Sequence, residues 1–200
     1  MGTDNKGFTV IELLISLAII SISLGSIYSL YMSHVAAYCT ESVTSRVQQN
    51  VRSSMNIMMR DIRMAGLDPH RTDLFGISQV TDKSIRFTAD TDMDGELDDP
   101  DLSDGFDDSD LEQIAYTYDG NNVLEMILYH ADGTIEMQDT LVDNVNNLIF
   151  TYLDANEVVT ADIEEIRTVV IQITVQKPAG HSDPVSRTLI KRVRCRNLDF

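Results

Sequence analysis

The sequence predicts an α+β fold: one long N-terminal helix, membrane-spanning in its first half and amphipathic in its second, packed on an antiparallel β-sheet domain. Three observations carry this. From Phe8 the chain meets no proline until Pro69, so a single helix is the simplest conformation there. The run from Leu13 to Thr40 contains no charged side chain, and the pattern turns amphipathic only beyond it. After Pro69 the helical period gives way to short runs rich in Ile, Phe, Tyr and Leu, separated by Asp-Gly pairs.

The helix is predicted over residues 8–66, roughly 90 Å at 1.5 Å per residue. Its first part, 8–40, exceeds the ~20 apolar residues that a bilayer crossing needs. Glu12 interrupts it near the start, and an ionisable group in such a run is costly enough to mark function. Gly25 and serines 16, 21, 23, 26, 29 and 33 are small residues that let membrane helices approach closely, or are simply tolerated there. In 41–66, Val43, Val47, Val51, Met58, Ile62 and Ala65 recur at three- and four-residue spacings, with Met55 beside the stripe. Gly66 followed by Pro69 is the stop signal.

Residues 67–200 form the predicted β-rich domain. Ser84–Thr88, Gln113–Tyr118, Val123–His130, Thr134–Gln138 and Asn147–Leu153 are expected strands, with hairpin turns at Asp119-Gly120 and Asp132-Gly133. In Ile166–Gln176 the side chains of Val169, Ile171, Ile173 and Val175 alternate with mostly polar ones. Pro178-Ala179-Gly180 is an expected turn, and Arg187–Cys195 a closing strand. A sheet with one buried face needs a cover, which the amphipathic half of the helix supplies.

Two hundred residues, 43% of them hydrophobic, suit one anchor and one globular domain. The net charge of −17 argues against nucleic acid as a partner. No nucleophile–base arrangement, phosphate-binding glycine loop or zinc spacing is present in the sequence, so no enzyme is expected. No small-residue cleavage site follows the apolar run, which should therefore stay with the protein.

Lys6-Gly7-Phe8-Thr9-Val10-Ile11-Glu12 and the apolar run behind it resemble the type IV prepilin N-terminus, shared by pilins and the pseudopilins of type II secretion. The resemblance implies a leader, residues 1–7, cut by prepilin peptidase between Gly7 and Phe8. It further implies N-methylation of Phe8, and pairing of Glu12 with the N-terminal amine of a neighbouring subunit during assembly. The leader departs from a strong orientation signal, because Asp4 opposes its one side-chain cation, Lys6. An uncleaved signal anchor with an incidental glutamate is the alternative. More widely, the Met55–Pro69 helix end with its Arg-Asp-Ile-Arg-Met-Ala-Gly run, and the Asp143–Asp154 and Ile166–Asn197 strand pair, resemble minor pilins and pseudopilins of the PilW/GspJ kind. No helix-kinking proline of the sort found in many major pilins occurs here. The implied life history runs from single-pass inner-membrane protein with a periplasmic domain to pilus or pseudopilus subunit. Its implied partners are prepilin peptidase, the inner membrane and other major and minor pilins.

Asp90–Glu112 holds twelve acidic residues and no basic one, and without it the formal charge would be −5 instead of −17. Inside it, Asp90, Asp92, Asp94 and Gly95 follow the D-x-D-x-D-G pattern of a calcium loop. Alternating oxygen ligands suit Ca2+, with Glu96 offering its carbonyl and Asp98 acting directly or through water. Asp101 stands where an EF-hand has a bidentate Glu, and no helices are expected to flank the loop. The alternative is a solvated acidic insertion. Cys39 and Cys195 either pair in an oxidising compartment or stay as two buried thiols. A membrane-anchored calcium-dependent binding domain shares all these features except the need for Gly7, Phe8 and Glu12.

Overall fold

A computed structural model describes residues 7–97, 112–179 and 182–198. Helix α1 runs unbroken from Val10 to Met64, 55 residues or about 80 Å. Its apolar half stands clear of the domain and its second half is laid into it. The buried stripe is Val47, Val51, Met55, Met58, Ile62 and Ala65. Met55, expected beside the stripe, lies fully buried within it. The helix stops at Gly66, whose φ of +75° is available to glycine and whose N–H donates to the Thr88 carbonyl at 2.9 Å. A Cβ there would collide with Leu198 Cδ2, so the closing segment of the chain packs directly on this residue.

The β domain is two antiparallel sheets where the sequence suggested one. Strands β1 (Ile77–Val80), β2 (Ser84–Thr88), β3 (Gln113–Tyr118), β4 (Val123–Tyr129) and β5 (Ile135–Asp143) form a five-stranded meander in chain order. Strands β6 (Val145–Leu153), β7 (Thr168–Ala179) and β8 (Ser182–Arg194) form the second sheet. The switch between sheets occurs at Asn144, a left-handed residue with φ of +59°. Its carbonyl accepts from the Gln176 amide, so β6 starts on β7 instead of continuing beside β4. Pro178 and Ala179, expected in a turn, extend β7, and Gly180 lies outside the described residues. The two hairpins at Asp119-Gly120 and Asp132-Gly133 form as expected, with glycine φ values of +89° and +82°.

The turn at residues 81–84 fastens the sheets together. Lys83 Nζ donates to the Leu148 carbonyl at 2.6 Å and to Asn147 Oδ1 at 2.9 Å, both on β6. Tyr152 answers from β6, its hydroxyl reaching the Thr81 and Ser84 carbonyls at 2.8 Å each. One core results. Met55, Met58 and Ile62 of the helix meet Phe87, Tyr116 and Leu124 of the first sheet and Leu148, Val169, Ile171 and Ile173 of the second.

A carboxylate of the helix borders this core. Asp61, on the buried side of α1, accepts the Tyr116 hydroxyl at 2.6 Å through Oδ2 and Arg60 Nε at 3.0 Å through Oδ1. Burial, reinforced by the Asp61 charge, pushes the Tyr116 phenol well above its ordinary value of 10.0, and burial does the same to Tyr152. A phenol raised in the folded state stabilises fully below its unfolded pKa and loses that contribution progressively as pH rises from there toward the folded value. Thermal stability is therefore expected to fall as pH rises past about 10. Melts recorded across that range should show a shallower decline for Tyr116→Phe than for the parent protein.

Candidate functional site

The N-terminal motif is organised by a capping box. Thr9 is the N-cap of α1, and its Oγ1 accepts the Glu12 N–H at 3.3 Å. Glu12 Oε2 returns the contact, accepting the Thr9 N–H and hydroxyl at 3.2 Å each. The Thr-x-x-Glu spacing satisfies otherwise orphaned helix-terminal donors and places a carboxylate at the positive end of the helix dipole. Thr9 lies outside the residues that the processing motif marks, although its spacing from Glu12 is a recognisable N-cap signature. Gly7 and Phe8 precede the helix in non-helical conformation, fully accessible, with Phe8 88% exposed.

Every residue from Gly7 to Cys39 is exposed, so the apolar face from Phe8 to Tyr38 has no partner within the chain. Among the described residues α1 is the one helix long and apolar enough to cross a membrane. Four of the serines bond backward along the helix, which suits them to an apolar environment. Ser16 donates to the Glu12 carbonyl, Ser21 to Leu17, Ser23 to Ile19 and Ser26 to Ile22, all at 2.8–2.9 Å. A hydroxyl satisfied in this way leaves the small side chain free for close helix packing.

The acidic loop begins where β2 ends, beside the end of the helix. The Asp90 N–H donates to the Leu67 carbonyl at 2.9 Å, and the Ala89 N–H to the Glu112 carbonyl at 3.0 Å. Glu112, itself buried, accepts the Thr91 N–H at 2.6 Å through Oε1, closing the base of the loop. Asp92 accepts from the Asp94 N–H and Asp94 from the Glu96 N–H, at 3.0 and 2.7 Å. One carboxylate oxygen each from Asp90, Asp92 and Asp94 lies within 4.8 Å of the others. Gly95 has a φ of +83°, and a Cβ on it would meet His70 Cβ at 2.9 Å. The expected sharp turn is therefore present and packed against the segment that follows the helix. Leu97 is half-buried and Glu96 exposed, while Asp98 and Asp101 lie outside the described residues.

The two cysteines do not join. Cys39 is exposed on α1, whereas Cys195 is buried just beyond β8. Asn197, two residues further, donates to the Met64 carbonyl at 3.2 Å, placing that end of the domain at the foot of the helix. Cys39 lies about 37 Å earlier along the helix axis, and a disulfide requires Cα atoms within about 7 Å. The expectation of two buried thiols is met by Cys195 alone.

Two family models match the chain. One is the prokaryotic N-terminal methylation motif, over residues 3–28, which takes in Gly7, Phe8 and Glu12. The other is prepilin peptidase-dependent protein B, over residues 41–195, which takes in the amphipathic half of α1 and all eight strands. No curated protein matches the chain. The motif supplies the processed, membrane-type helix and the second match the head built on it: the chain belongs to the prepilin peptidase-dependent protein B family, as an N-methylated, pilin-like protein.

Proposed function

We propose that this chain is a minor pilin, a structural subunit cut by prepilin peptidase between Gly7 and Phe8 and methylated on the new Phe8 amine. Held in the inner membrane with its head in the periplasm, it joins the helical core of a type IV pilus, where it helps to start assembly at the tip. The observation carrying this is the unpartnered apolar face of α1 from Phe8 to Tyr38, continuous with a second half buried in the head. Such a face has two environments that satisfy it, lipid and the helices of other subunits, and assembly transfers it from one to the other.

Glu12 holds the switch between those states. In the lone chain its carboxylate accepts the Thr9 N–H and hydroxyl. In the assembled fibre it faces the methylated amine of a neighbour, so that neither charge is buried alone. The unbroken helix also suits a pseudopilin of type II secretion, and a deletion strain separates the two. Loss of surface fibres with secretion intact is expected; loss of secretion with fibres intact would transfer the chain to the secretion system.

A further inference from the structure

We propose that Asp90, Asp92 and Asp94 form a calcium site that locks the acidic loop onto the foot of the helix. The sequence spacing alone would not carry this, since acidic clusters are common on surfaces. The second observation is Asp90 itself. Its side chain is 0% exposed, and neither carboxylate oxygen has a hydrogen-bond partner. His70 Nδ1 stands 3.8 Å from Oδ2, beyond hydrogen-bond distance, on a side chain that is half exposed. A buried carboxylate without donors is strongly disfavoured, and buried charges are normally paired or bound to metal.

The geometry fits a hard cation. Two oxygens bound to one Ca2+ at about 2.4 Å lie no more than about 4.8 Å apart, and the three aspartate oxygens meet that limit. Asp92 and Asp94 are exposed, leaving room for backbone carbonyls and water in the remaining positions. Met93, between them, is held in the left-handed region at φ of +70°, a conformation uncommon for a non-glycine residue. The Asp90 N–H bond to Leu67 and the Gly95 contact with His70 fasten both ends of the short segment to the helix–head junction. A bound ion would therefore stiffen the junction through which the head is carried by its anchor.

The test uses the full chain in detergent micelles, stripped with a chelator and titrated with CaCl2 by calorimetry and thermal melting. One saturable site is expected, with Kd of about 10⁻⁴–10⁻³ M. A rise in Tm of about 3–6 °C is expected at tenfold excess over Kd. MgCl2 at the same concentration should give a much smaller shift, because Mg2+ demands a tight octahedron and sheds its waters reluctantly. Asp94→Asn, exposed and safe for folding, should weaken binding by about tenfold or more. Asp90→Asn should melt higher than the parent without metal and lose the calcium response, which a merely structural aspartate would not do. An absent calcium shift, an equal response to MgCl2, or Asp94→Asn binding as the parent does would each overturn the site.

Discussion

Glu12→Ala is expected to abolish incorporation into fibres while leaving the head domain folded. The carboxylate touches nothing beyond the first turn of α1 in the described structure, where it caps Thr9. Its removal therefore costs the domain nothing. In the assembled state it leaves the Phe8 amine of a neighbour without a counter-charge. An uncompensated charge at membrane depth costs about 3 kcal/mol, which corresponds to a loss on the order of a hundredfold. Glu12→Gln separates the two roles of the side chain. Glutamine keeps the capping box but carries no charge, so it should fail in assembly as alanine does. Immunoblots of sheared fibres against membrane fractions report both outcomes, and normal incorporation of either variant would refute the charge-pairing role.

Met58→Ala should produce a large loss of stability. Met58 is completely buried in the core shared by α1 and both sheets. Truncating such a side chain removes its transfer energy and leaves a cavity that neighbours only partly fill, at a cost of about 2–5 kcal/mol. For a protein of this size that lowers Tm by about 5–15 °C. Arg52→Ala, on the exposed face of the same helix segment, should change stability by no more than about 0.5 kcal/mol. Thermal melts of the pair test whether the anchor helix and the head form one folding unit. Equal melting temperatures would mean that the head folds without its helix.

Local signals account for what could be seen in the chain beforehand. Strands β2 and β3 begin and end where apolar alternation and turn residues put them, at Ser84–Thr88 and Gln113–Tyr118. The alternation of β7 buries Val169, Ile171, Ile173 and Val175 as its pattern requires. The misses are tertiary. β1 is a four-residue strand whose Ser78 and Gln79 hide its period, and pairing with β2 is what holds it. β5 runs on to Asp143, past the expected Gln138, because β4 is long enough to pair that far, with Val123 opposite Asp143. The division into two sheets turns on one left-handed asparagine, which no periodicity reports.

At the sites the same distinction holds. Gly7, Phe8 and Glu12 form a contiguous motif, visible without any fold. The spacing of Asp90, Asp92, Asp94 and Gly95 was equally visible, but the burial of Asp90 was not, since it depends on where the loop meets the helix end. Asp61 is hidden in the sequence for a related reason. It reads as one more charge in an arginine-rich helix end, and only the hydroxyl of Tyr116, 55 residues away, explains a carboxylate on the buried face.

Mass spectrometry of the N-terminal peptide, taken from native membranes and sheared fibres, tests the central claim most directly. The account predicts a peptide beginning at Phe8 and bearing one methyl group on its amine. A peptide beginning at Met1, from cells in which prepilin peptidase is active, would contradict it and leave an anchored head domain that assembles into nothing.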